Sequence, residues 1–569
     1  MRAGLAACVL LASCGRTDGR AASEPPSAPS AAREHSHALD PASLLTARIR
    51  RLANAEYDAT VGKLLSTRAR PAAAVGFPPD FRQGGFTVND AQRIDAVLVE
   101  RLAEAADSLA TDAQASGLLA RIAPCGRASR PRNCARAFIR AFAPRVYRRP
   151  IDLDETKALL ALYDAGARGA TYEDGVAHVL RGLLQSAGLL YLTELGEASS
   201  DDGTIALTPY ELASSLSYFL TSAPPDDELI ASTATGALLD PAEREVQARR
   251  LLDNDPLAQD RVVRLVREWL GIDRIDATGK DSFVYPDFAV QRSRIVAESN
   301  DFVRAVAFRS RGTVGELLGA TWTVDTGPLG IYRTRGNGPI AGASLVDRVG
   351  ILNQAAFLAS YANAHESHPV FRGVAVARRV ACLPLDSPTS FDIIVVPPVP
   401  DPTKTTRERF RIHSQDSLCQ LCHSTIDPFG FSFEHYDGMG AFRSTENGRP
   451  VDSAVVVSQR AGSRGAEAGP PPEPIAGGLE PSEGSNDIDG PYADSNHLAT
   501  ALAGSEAARA CFARFVFRAG AATGKPAGRL AEAEFLRQWR DTPAAAQGNI
   551  IETLIAFVKG PTFARRRPE

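Results

Sequence analysis

Apolar residues recur at helical spacing along most of this chain. Tyr57, Val61, Leu64 and Leu65 share one face of a helix that Asn54 is placed to cap. Ile94, Val97, Leu98, Leu102 and Ala105 continue the period through residues 90–123. A run over 135–142 leads to Tyr147-Arg148-Arg149-Pro150, and Leu159, Leu160, Leu162, Val176, Leu180, Leu183 and Leu184 mark two helices over 154–195. Thr208-Pro209-Tyr210-Glu211 carries complete start chemistry: an N-cap, a proline at the first helical position and a glutamate to close a capping box. That helix presents Leu212, Leu216, Phe219 and Leu220 and stops at Pro224-Pro225. Another starts at Pro241, with Val262, Val266 and Leu270 at helical spacing beyond it. Near the C-terminus the period returns over 498–503, 507–518, 530–539 and 550–558. The expected fold class is mainly α, in several helical domains.

Breaks in the pattern give the organisation. Residues 76–90 read as a loop, 385–402 as an extended proline-rich strap, and 444–494 as a flexible insertion rich in Gly, Pro, Glu and Ser. Thr405 and Glu408 form a second capping box, for a helix carrying Phe410 and Ile412 towards Cys419. The expected units are an N-terminal signal (1–14), a disordered tether (15–44), helical domains over 45–124, 125–200 and 201–340, a cysteine-bearing unit over 341–443, the insertion 444–494 and a helical domain over 495–569.

The first residues are addressed to export. Arg2 is a minimal positive region, residues 3–12 are apolar, and Leu11-Ala12-Ser13-Cys14 resembles a bacterial lipobox whose cysteine is acylated. The alternative is a short conventional signal peptide. Gly15, where an Asp would signal inner-membrane retention, points to an outer-membrane lipoprotein facing the periplasm or the cell surface. There thiols pair or carry a cofactor. Cys125 and Cys134 bracket a short basic loop and are expected to form a disulfide. A net charge of -4 argues against a nucleic-acid partner.

With 8 Cys and 9 His in 569 residues, Cys419-Gln-Leu-Cys422-His423 is unexpected by chance. Two thiols at this spacing can add to the vinyl groups of one porphyrin, with the histidine beneath the iron as axial ligand. A small disulfide or part of a zinc site remains open on spacing alone. For a sixth ligand, Met439 is the only methionine after the initiator, 16 residues beyond His423. It reads equally as a core methionine, and His435, His413 or an open position are alternatives. Asp427, Glu434, Asp437 and Arg443 either orient His423 or haem propionates, or cap turns and helices.

The order of motifs resembles that of the multidomain planctomycete-type cytochrome c proteins, also common in myxobacteria, whose modules are mostly domains of unknown function. The resemblance rests on Arg51-Leu52-x-Asn54-x-Glu56-Tyr57, Val146-Tyr147-Arg148-Arg149-Pro150 and Leu207-Thr208-Pro209-Tyr210-Glu211-Leu212-Ala213-Ser214. Leu216-Ser217-Tyr218-Phe219-Leu220 and Pro225-Asp226-Asp227-Glu228-Leu229 follow. The strongest match is Cys419-x-x-Cys422-His423-x-x-Ile426-Asp427-Pro428-x-Gly430-Phe431-x-x-Glu434-x-x-Asp437-x-x-Gly440-x-x-Arg443, with a last one around Asp489-Gly490 and Cys511. The chain departs from the pattern at Thr221, where an aromatic is usual, and over 517–520.

The resemblance implies a cytochrome c-like unit near the C-terminus, one covalent haem c, and an electron-transfer lipoprotein working between redox partner proteins. Cys382 and Cys511 are candidates for a second disulfide, which would tie that unit to the C-terminal helices. Some relatives are described as polysaccharide-binding. The competing reading is therefore a non-redox surface binding protein whose Cys419 and Cys422 form a disulfide. Aromatic residues at 7% and only three tryptophans (Trp269, Trp322 and Trp539) count against sugar platforms. No nucleophile motif or His-Glu-x-x-His occurs, so an electron carrier or binding protein is expected before an enzyme.

Overall fold

Helix starts obey their local chemistry in the computed structural model. It describes residues 40–126, 129–197, 202–324, 331–332, 334–337, 343–385, 398–399, 401–411, 417–458, 487–523 and 528–568. Thr208 and Glu211 close their box around the start of the helix Pro209–Thr221, and Thr405 and Glu408 do the same for Thr406–Phe410. The first helix, Asn54–Leu65, begins one residue away from the expectation: Ala53 and not Asn54 is its N-cap. The Glu56 carboxylate accepts the Ala53 N–H at 2.9 Å, and Asn54 instead donates its side-chain amide to the Pro78 carbonyl at 2.8 Å. Along Ala96–Ala115 the buried face is Leu98, Leu102, Ala105, Ala106 and Leu109. Val97, expected on that face, points to solvent, because Asp95 caps Leu98 and sets the helix phase.

The fold is mainly helical, with a few short antiparallel strand pairs. Arg48–Arg51 pairs with Tyr191–Glu194, and Ile205–Ala206 with Arg565–Arg566. The segment before the first strand also meets the last described residues there: Ala47 donates to the Arg567 carbonyl at 2.9 Å, and Arg567 to that of Leu45 at 2.8 Å. The outer parts of the segment 444–494 are structured, contrary to the flexible reading. Val455–Val457 pairs with Gly490–Tyr492, burying Val455 and Val457 while Val456 faces out. Three apolar residues in alternation on a paired strand explain this.

Residues from Asp40 onward form one compact unit containing two large apolar cores. One gathers side chains from residue 52 to 192; the other runs from the N-terminal segment to the C-terminal helices, through Trp269, Phe357, Phe433, Phe512 and Trp539. The helix Pro209–Thr221 serves both. Leu212, Leu216 and Phe219 enter the second core, while Tyr218 enters the first and bonds the Thr60 hydroxyl at 2.8 Å. Among the described residues there are two disulfides, Cys125–Cys134 and Cys382–Cys511. The end of the expected tether is ordered, since Asp40 caps the short helix Pro41–Ser43 and Leu44 is buried. Cys14, the rest of the tether, His413, most of the strap 385–402 and residues 459–486 lie outside the described residues.

The helix bearing the Cys-x-x-Cys-His motif, Ser417–Phe431, is held by close backbone contact with Pro369–Arg379. A Cβ at Gly373 would stand 2.3 Å from the Ile426 carbonyl oxygen, and one at Gly430 only 2.1 Å from that of Pro369. Neither obstacle is a side chain that can swing aside. Gly430→Ala is expected to destabilise by about 1–3 kcal/mol, as overpacking does. Gly504→Ala, where the added methyl meets nothing within 4 Å, should be neutral or mildly stabilising. Thermal melts of the two variants check this, and equal melting temperatures would refute the close-contact argument.

Candidate haem-attachment site

Cys419, Cys422, His423, Ile426 and Asp427 are spaced three and four residues apart on the helix Ser417–Phe431, which sets them on one face. Cys419 and Cys422 are half-buried and belong to neither disulfide of the described residues. The His423 ring is held from one side: its Nδ1 lies 2.8 Å from Asp427 Oδ1, with side-chain exposures of 17% and 8%. Ile426, on the same face, is buried, with its carbonyl against Gly373.

The segment after this helix is clamped by buried charge. Arg372 is fully buried and donates to the carbonyls of Phe433, Tyr436, Leu358 and Asp437. Its burial pulls the guanidinium down to about 10, with Glu434 and Asp437 opposing. Arg348 donates to the carbonyls of Asn353, Ile331 and Gly440, lying 4.3 Å from the Tyr332 ring centre and 4.7 Å from that of Tyr436. Glu434 is buried, which raises its carboxyl above the ordinary range against the pull of Arg443 and Arg372. It pairs with Arg443 at 3.0 Å and accepts from the Ser367 hydroxyl. Arg443 also reaches Glu446 at 2.8 Å. Asp437 Oδ1 accepts the backbone N–H groups of Met439 and Ala441, fixing a tight turn.

Of the charged motif positions, Glu434, Asp437 and Arg443 thus engage the fold, and Asp427 engages His423. Met439 is buried in the large apolar core. His435 donates from Nδ1 to the Arg443 carbonyl at 3.0 Å and stacks on Phe442. The clamping arginines Arg348 and Arg372 and the Ser367 hydroxyl were not singled out from sequence. The available signal was an arginine set among small and apolar residues, as in Arg372-Gly373-Val374.

The donor set can be tested against its possible occupants. Zinc requires its ligands to converge on one point. Among the described residues no three His, Cys, Asp or Glu side chains do so, those of the motif included. A porphyrin needs no such convergence: its thioether positions lie at the ring edge and its axial ligand at the centre. The two thiols and the imidazole stand on this helix at the spacing that c-type attachment requires.

Four family models match the chain in sequence. Residues 50–115 match PSD3, a protein of unknown function (DUF1587), and residues 134–194 match PSD5 (DUF1595). Residues 207–332 match PSD4 (DUF1592), and residues 348–446, which include the motif helix and its clamp, match PSCyt3 (DUF1588). No curated protein and no solved structure matches the chain. The name PSCyt3 suggests a cytochrome-like family, whose function is otherwise unknown. In the order PSD3, PSD5, PSD4 and PSCyt3, these modules of unknown function make the chain a member of the planctomycete-type multidomain family.

Proposed function

We propose that the protein carries one covalent haem c, joined through Cys419 and Cys422 with His423 as proximal ligand, and that it transfers single electrons between redox partner proteins. The observation behind this is the shared helix face of the two thiols and an imidazole whose ring direction is fixed by Asp427. When bound, the haem supplies a one-electron ferric/ferrous couple. The chain supplies the anchors, the axial nitrogen and a rigid floor: helix Pro369–Arg379 at backbone distance, and the Arg372 and Arg348 clamps beneath the following turn. Met439 is the proposed sixth ligand; it would raise the potential, whereas an open position would admit small molecules. The lipobox at Cys14 supports attachment to the outer membrane through lipid, facing the periplasm or the cell surface. No helix of the described residues is long and apolar enough to cross a membrane.

A second reading has one observation of its own. Tyr147, Tyr191 and Tyr210 line an open groove of about 760 Å3 beside Arg149 and Glu197, where sugar rings of a polysaccharide could stack. Two of these tyrosines belong to the motifs Tyr147-Arg148-Arg149-Pro150 and Thr208-Pro209-Tyr210-Glu211.

The deciding experiment is a pyridine haemochrome spectrum of protein made in a periplasm with c-type maturation machinery. The expected result is a c-type α-band that stays with the denatured polypeptide and is absent from Cys419→Ser/Cys422→Ser. A colourless wild-type protein would refute the haem reading and leave the tyrosine groove.

A further inference from the structure

Building on that reading, we infer that Asp427 is a positioning residue for the haem, one that holds His423 through its Nδ1 and lowers the reduction potential of the bound iron. Glu434, Asp437 and Arg443 share the motif with Asp427, but their partners are Ser367, Glu446, one another and loop N–H groups. Asp427 stands one helical turn beyond His423, with its Oδ1 at 2.8 Å from Nδ1. Both side chains are largely shielded from water, so the contact is weakened little by solvent.

The chemistry follows from the two nitrogens of imidazole. A carboxylate beside Nδ1 accepts a hydrogen bond from its N–H, which fixes the tautomer and leaves the Nε2 lone pair as the ligating one. Negative charge at that hydrogen bond raises the basicity of Nε2 and favours ferric over ferrous iron, which lowers the potential. The helix sets the His423–Asp427 separation by its own geometry, so the contact is built before any haem arrives. One electron enters from a partner to form the ferrous state and one leaves to restore the ferric; no proton or atom is transferred by Asp427.

The test uses the haem-loaded full chain, with Asp427→Asn and Asp427→Glu, and reads the midpoint potential by spectroelectrochemistry alongside a thermal melt. Asp427→Asn should raise the potential by at least 59 mV, a tenfold shift in the ferric/ferrous equilibrium for a one-electron couple. Asp427→Glu should recover at least half of that shift. A smaller change, a fall, or a rise that glutamate does not reverse would overturn the inference, since each reports packing and not charge. If Asp427→Asn melts like the wild type yet carries no haem, the carboxylate is needed to present His423 and the inference stands. Loss of haem together with the fold overturns it in favour of a structural role. Absence of haem from the wild type is a separate result, which defeats the proposed function itself.

Discussion

Replacing Cys382 and Cys511 together by alanine is expected to lower the unfolding free energy by about 5 kcal/mol, the chain-entropy value for a loop of this length. The bond joins residues 129 apart in sequence, so without it the unfolded chain regains a great deal of freedom. It fastens the end of the helix Pro369–Arg379, on which the motif helix rests, to the helix Glu506–Ala521. The surroundings are built to keep that junction. The Arg379 carbonyl, three residues before Cys382, accepts the Trp269 indole N–H, and the Trp269 ring meets Phe512 edge-on at 4.9 Å. Cys125–Cys134 closes only 9 residues, and its removal should cost about half as much, near 2.5 kcal/mol. Denaturant titrations of both double variants give the comparison. Equal losses would refute loop length as the source of the difference.

What the sequence revealed and what it hid divides along the distance between interacting residues. The Thr208–Glu211 and Thr405–Glu408 boxes span three residues each and were readable because all their partners are local. The motif face of Ser417–Phe431 was readable for the same reason, as was the pairing of Cys125 with Cys134 across a short loop. Periodicity marks which face of a helix is apolar but not which element covers it. It could not show that residues from four expected domains and the insertion enter one core, or that Tyr218 would leave its neighbours to join another. Buried arginines were invisible for a related reason. Arg244, Arg348 and Arg372 count as surface charges in a composition, yet each spends its donors on backbone carbonyls from other parts of the chain. Glu434, Asp437 and Arg443 could not be separated from Asp427 by spacing. Ser367, which occupies Glu434 and Arg443, is more than sixty residues away from both.

Glu194→Gln is expected to cost about 3–5 kcal/mol at neutral pH, the range for breaking a buried ion pair by removing one partner. Glu194 is 5% exposed and accepts from Arg48 at 2.7 Å, from Arg566 at 2.6 Å and from the Ser215 hydroxyl at 3.2 Å. It therefore ties the first strand pair to the last strand of the chain, and its neutralisation leaves two guanidiniums buried beside one another. Burial alone would raise this carboxyl, but the pull of Arg48 and Arg566 is greater and holds it well below the ordinary range. A folded-state value depressed in this way contributes stability that is complete above the unfolded value, about 4.3, and is lost as the pH falls below it. The buried Glu56, held down by Arg50 against its own desolvation, adds to the same slope. Wild-type stability should thus fall steeply from about pH 4 downward, and Glu194→Gln should start lower at pH 7 and fall less steeply through that window. Denaturant midpoints from pH 3 to pH 7 test both parts. A variant with an unchanged acid slope and a loss under about 1 kcal/mol, the value of an exposed pair, would show that the cluster is solvated and does not join the two strand pairs.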